Sequence, residues 1–86
     1  MEKRRYLVWA LTESQPNLVE KMMGLLRRQE VYYKVRKLYF EPLRSDGMAL
    51  FTVEVECTEK SLKKLIKFYN QYVEVIDVGY RPVEGD

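Results

Sequence analysis

The apolar positions of this chain alternate between two spacings. Residues 6–11 form an unbroken apolar run with aromatic and β-branched members, the length and flanks of a strand buried on both faces. Val19, Met22, Met23 and Leu26 follow at helical spacing, and Leu18 and Leu25 widen the stripe. Glu20, Lys21, Arg27 and Arg28 face away from it, which predicts an amphipathic helix. Gly24 inside that helix costs about 1 kcal/mol relative to alanine, and close packing against a neighbour would account for it. Residues 31–40 read as a second strand, with Tyr33 and Val35 in one phase and Leu38 and Phe40 in the other. A bulge near Arg36 and Lys37 accounts for the change. Glu41-Pro42 and Ser45-Asp46-Gly47 supply the turn chemistry of a hairpin loop. Phe51, Val53, Val55 and Cys57 then alternate with Thr52, Glu54 and Glu56, a strand with one buried face and one wet face. Thr58 suits the N-cap of a second helix, whose stripe is Leu62, Leu65, Ile66 and Tyr69, opposed by Lys60, Lys63, Lys64 and Lys67. Residues 73–80 read as a last strand and residues 82–86 as a short acidic tail.

The order β-α-β-β-α-β predicts an α+β fold, a ferredoxin-like sandwich with a four-stranded antiparallel sheet and both helices on one face. The other face is then open. The first strand carries Leu7, Trp9 and Leu11 on one side and Tyr6, Val8 and Ala10 on the other, both apolar. One layer of helices covers one side only. The second side is expected to be buried by another subunit, in a homodimer.

Length and composition narrow the function. The chain has 86 residues, 47% hydrophobic and 33% charged, which fits one globular domain spanning 1–86. So small a core makes oligomerisation a natural source of stability. A net charge of +2 gives nucleic-acid binding no support. A single cysteine, Cys57, excludes an internal disulfide framework and suits a reducing compartment. The absence of histidine removes imidazole metal ligation and Ser/His or Cys/His catalysis. Lys3-Arg4-Arg5 is followed by an apolar run much too short for a membrane span, and no cleavage site follows it. The expectation is a cytoplasmic protein with no membrane contact.

Catalytic chemistry finds no foothold. Glu54 and Glu56 fall on the wet side of their strand, and Cys57 is in phase with core residues. No glycine-rich phosphate loop appears, so neither enzyme activity nor a cofactor nor a metal is expected. RNA-recognition modules of the same topology carry basic and aromatic residues on the third strand. Residues 46–53 lack the leading basic residue and most of the aromatics. The cluster Arg27-Arg28, Lys34 and Arg36-Lys37 reads more simply as an exposed helix end and a charge-protected edge strand. The candidate site is the first strand-to-helix turn, with Ser14, Gln15, Asn17 and Leu18. Unpaired N–H groups at a helix start can hold a carboxylate, aided by the helix dipole. Asn17 with Glu20 three residues on also reads as a capping box, with Pro16 at the helix entry. On physics alone the cap is the stronger of the two readings.

Several strings, taken in order, resemble the ACT domain. They are Glu13-Ser14-Gln15-Pro16-Asn17-Leu18 at the turn, Met23-Gly24-Leu25-Leu26-Arg27-Arg28 in the helix, and Leu38-Tyr39-Phe40-Glu41-Pro42 closing the second strand. Leu65-Ile66-Lys67 and Tyr72-Val73-Glu74-Val75-Ile76-Asp77-Val78 complete the likeness, which spans about residues 5 to 80. It is nearest to the small regulatory subunits of acetolactate synthase (acetohydroxyacid synthase), of the short, single-domain type. The resemblance implies a non-catalytic subunit of branched-chain amino-acid biosynthesis that binds a thiamine-diphosphate-dependent large subunit. It also implies a branched-chain amino-acid effector, held between paired ACT domains at the turn after the first strand. The chain departs from the family pattern in three places. Pro16 stands where a glycine is common and supplies no N–H. Glu13 takes the place of Asn or Asp and brings a negative charge. Gln29-Glu30 replaces a glycine after the first helix. The remaining contacts are the N–H groups of Asn17 and Leu18 and the side chains of Ser14, Gln15 and Asn17, so effector binding is expected to be weakened or altered.

Overall fold

A computed structural model of the chain describes residues 2–43 and 47–84, with Pro16 described by its backbone alone. The expected Ser45-Asp46 turn and the end of the acidic tail lie outside the described residues. The elements are β1 (Lys3–Glu13), α1 (Pro16–Arg28), β2 (Lys34–Pro42), β3 (Met48–Thr58), α2 (Glu59–Asn70) and β4 (Val75–Pro82). The strands form one antiparallel sheet in the order β2-β3-β1-β4, a ferredoxin-like βαββαβ fold.

β1 outruns its apolar core at both ends because it is a central strand. Its ladder to β3 runs from Lys3 opposite Thr58 to Glu13 opposite Met48. Tyr6, Val8 and Ala10 are buried under the helices with Phe51, Val53, Val55 and Cys57 of β3. Leu7, Trp9 and Leu11 are half-buried on the opposite face, so β1 is not covered on both sides within one chain.

Both edge strands start later than their apolar content predicts. At the end of α1 the backbone turns over Gln29, whose carbonyl accepts from the N–H groups of Tyr32 (2.9 Å) and Tyr33 (3.2 Å). Val31 and Tyr32 are therefore exposed, and β2 begins at Lys34. Tyr33 is buried just before it, with its hydroxyl donating to the Ser61 carbonyl at 2.7 Å. Val73 is 91% exposed and precedes β4 rather than joining it. The ladder between β2 and β3 shifts between Val35 and Lys37, at the place where the hydrophobic phase changes. A second shift, opposite Leu11 and Thr12, leaves Ile76 unpaired in β4.

The helices close one face. α2 is capped by Thr58, whose side-chain oxygen accepts from the Ser61 N–H at 3.1 Å. Leu62, Leu65 and Tyr69 are buried, and the Tyr69 hydroxyl donates to the Met22 carbonyl of α1 at 3.1 Å. α1 buries Leu18, Met22, Leu25 and Leu26, while Val19 and Met23 are half-buried. Its buried face is thus rotated away from the Val19 side. Gly24 is not at a close helix–helix contact: a methyl there would meet the Arg28 guanidinium, at 3.2 Å.

Candidate functional site

The turn from β1 to α1 brings together the ends of three strands. The Glu13 N–H donates to the Glu74 carbonyl at 2.9 Å, and the Ser14 N–H donates to the Gly47 carbonyl at 2.6 Å. Gly47 adopts a φ of 73°, the left-handed region that glycine enters without steric cost. The Gln15 N–H donates back to the Glu13 carbonyl at 2.9 Å, which tightens the turn. Gln15 then occupies the N-cap with extended backbone and makes no side-chain cap.

The expected capping box of Asn17 and Glu20 is therefore not formed. Proline has no N–H to satisfy and its φ suits a helix entry, so α1 starts at Pro16, and Asn17 falls inside the first turn. The first turn carries no acidic side chain. The Leu18 N–H donates to the Gln15 carbonyl at 3.1 Å, and the Leu18 side chain is buried in the core. Leu18 thus anchors the helix start in the core through its side chain. Ser14, Gln15 and Asn17 are exposed together. Among the described residues, no partner approaches the Asn17 N–H.

Charge around the turn is already matched. Lys21 lies one turn along the helix from Asn17, and its ammonium pairs with the Glu74 carboxylate at 3.5 Å. The Glu74 carboxyl is held below its ordinary range by its own backbone N–H and by Lys21. Sequence spacing carries no signal for this pair, since its members are far apart in the chain. Glu13 alternates with the buried Thr12, so its side chain belongs to the sheet face opposite the helices. That placement turns the Glu13 carboxylate away from the helix start. Thr12 itself is fully buried, with its hydroxyl 3.5 Å from the Ala49 carbonyl, a long bond by ordinary geometry. The phase it shares with Tyr6, Val8 and Ala10 is the signal that places it there.

A groove of about 700 Å³ lies at the other end of α1. Met23, Leu26, Val31, Val35 and Leu38 line it, with Arg27, Glu30 and Lys34 alongside. Ser14, Gln15, Asn17 and Leu18 do not line it, so the expected site and this groove are separate places in one chain. Cys57 is buried among the core residues, and burial pushes its thiol up to about 11. Such a thiol is neither a nucleophile nor a metal ligand at neutral pH. Among the described residues, no three His, Cys, Asp or Glu side chains converge as metal ligands. No helix among them is long and apolar enough to cross a membrane.

No protein-family model matches the chain, and no curated protein matches it in sequence. Solved structures do match it in shape. An uncharacterized protein from Thermotoga maritima superposes with a TM-score of 0.77 at 19% identity, covering 96% of this chain and 100% of that one. The ACT domain of a GTP pyrophosphokinase from Chlorobium tepidum gives 0.76 at 11% identity, covering 93% and 100%. The acetolactate synthase small subunit of Thermotoga maritima gives 0.76 at 21% identity. This chain spans 48% of that subunit's length, with 94% of its own residues matched. These likenesses establish the ferredoxin-like fold that ACT domains share.

Proposed function

We propose that the chain is a non-catalytic regulatory module of the ACT type, one domain over residues 1–86, which acts in the cytoplasm. In this reading it pairs with itself and with the large subunit of an acetolactate synthase in branched-chain amino-acid biosynthesis, and its own amino-acid site is weakened. One observation carries the weakened site. At the turn where an ACT effector would present its carboxylate, one helix-start donor stands open among the described residues, at Asn17. Its neighbours are used up: Ser14 binds Gly47, Leu18 binds Gln15, and Pro16 has no N–H. The nearby cation, Lys21, is held by Glu74. An effector there keeps the helix dipole, the Asn17 N–H and the exposed side chains of Ser14, Gln15 and Asn17. The superposition on an acetolactate synthase small subunit supports the choice of partner.

Two experiments test the reading. Tagged chain should co-purify the acetolactate synthase large subunit from its own cell lysate. Recovery of the chain with itself alone would favour a free-standing amino-acid sensor. Calorimetry with valine, leucine and isoleucine should show weak heats, and Pro16→Gly, which restores a donor, should strengthen binding severalfold. A tight stoichiometric heat from the native chain would refute the weakened site.

A further inference from the structure

The strand registers give the open face of the sheet a charge pattern that hydropathy does not show. At its middle level lie Tyr39 of β2, Thr52 of β3, Trp9 of β1 and Gly79 of β4, each opposite the next. The Trp9 indole lies over Gly79, where an added methyl would overlap the ring. Above this level stand Glu41, Leu50, Leu11 and Asp77, and beyond them Met48 and Glu13. Below it stand Lys37, Glu54, Leu7 and Arg81, and beyond them Glu56 and Arg5. The two glutamates below the middle have basic neighbours in their own sheet. Glu56 pairs with Arg36 at 3.6 Å, and Glu54 is opposite Lys37. One end of the face is therefore basic overall. The other end carries Glu13, Glu41 and Asp77, with no Lys or Arg among its described residues.

We propose that this face docks on the same face of a second copy, about a two-fold axis that crosses the strands at the level of Trp9. Such an axis turns one sheet end for end over the other while keeping each strand above its own counterpart. Leu11 then meets Leu7, and Trp9 meets Trp9, giving an apolar stripe along β1, while on β3 Leu50 meets Glu54. Glu41 meets Lys37 on one edge, Asp77 meets Arg81 on the opposite edge, and Glu13 meets Arg5 between them. Each pair of unlike residues occurs twice, and Trp9 meets its own copy once on the axis, as an isologous interface requires. The alternative axis, along the strands, would stack acidic end on acidic end and is opposed by like charge. Sheets packed face to face lie about 10 Å apart, a gap that Lys, Arg and Glu side chains bridge from both sides. This inference rests on the self-pairing part of the proposed function and adds the surface and its orientation. It does not depend on the effector or on the large subunit.

Sedimentation equilibrium of the full chain tests it by charge reversal on the two edges separately. Lys37→Glu, Glu41→Lys, Asp77→Arg and Arg81→Asp should each weaken a native dimer roughly tenfold, since each creates two like-charge contacts. The swaps K37E/E41K and D77R/R81D should each restore native affinity. Trp9 is the one tryptophan of the chain, and its emission should move to the red as the native dimer dissociates on dilution. Three results overturn the proposal. One is a monomer throughout the micromolar range. Another is a response confined to Lys37 and Glu41, which would place pairing at the β2 edge. The third is a double swap no tighter than its single reversals. Co-purification and calorimetry report on the functional reading, so the two proposals fail by different measurements.

Discussion

The buried thiol of Cys57 should make the fold sensitive to alkaline pH in a way that one substitution removes. Cys57 is fully buried on the helix-facing side of β3. Burial raises its pKa from an ordinary 9.0 to about 11, with a small opposing contribution from Lys3. A pKa raised on folding means that the native state holds its proton more tightly. The corresponding stability is complete below pH 9 and is lost as pH rises towards 11. Between pH 8 and pH 10 the unfolded thiol ionises while the folded one stays protonated, a loss of about 1 kcal/mol. Tyr33, raised to about 12, and Tyr69, raised further by burial, add to the alkaline loss above pH 10. Burial, the main cause of both shifts, remains in a Cys57→Ala variant. The smaller part of the Tyr33 shift that comes from Cys57 needs an ionised thiol, which the folded chain largely lacks up to pH 10, so the comparison isolates the thiol. Urea unfolding followed by Trp9 fluorescence at the two pH values measures both proteins. The native chain should lose about 1 kcal/mol more than Cys57→Ala over this interval. Any constant cost of the smaller side chain cancels, because it is present at both pH values. Equal losses in the two proteins would refute the thiol's role.

Two further substitutions test the packing. Gly24→Ala should stabilise the chain by about 1 kcal/mol, because the added methyl meets only the mobile end of Arg28 and gains helix propensity. Calorimetric unfolding should show a Tm raised by roughly 4–8 °C, and a lowered Tm would mean that the site is tighter than its geometry. Gly79→Ala should destabilise by roughly 1–3 kcal/mol, since the indole of Trp9 must leave its place or β4 must shift. A red shift of Trp9 emission in folded G79A is the expected signature, and unchanged emission would refute the stacking.

The elements legible from sequence were those fixed by local chemistry. β3 alternates cleanly, and Thr58 caps α2 through a hydroxyl three residues from its partner. The misread parts depended on distant partners. β1 extends to Lys3 and Glu13 because ladder hydrogen bonds to β3 hold charged residues that hydropathy assigns to loops. The location of the candidate turn followed from the order of elements, but the state of its donors did not. Gly47 and Glu74, distant in sequence but leading into the two strands beside β1, occupy the N–H groups of Ser14 and Glu13. Where two local rules competed, at Pro16 and Asn17, the stronger steric preference fixed the start of α1.

The charge pattern of the open face depends on irregularities in the two edge strands. Val35 faces the helices opposite Val55, so strict alternation would send Lys37 towards the core and Leu38 outward. The extra residue at Arg36 reverses this: Leu38 and Phe40 join the core, and Lys37, Tyr39 and Glu41 reach the open face. On the opposite edge, Val75 pairs with the buried Thr12, and the unpaired Ile76 shifts Asp77 and Arg81 onto the same open face. Each bulge completes the hydrophobic layer on one side and places one acid and one base of its strand on the other. The β2 bulge is readable as a phase change, because Tyr33 and Val35 precede it and Leu38 and Phe40 follow it. The β4 bulge lies in Val75-Ile76, where two adjacent apolar residues fit either phase. One half of the self-complementary face can therefore be inferred from hydropathy, and the other half requires the strand register.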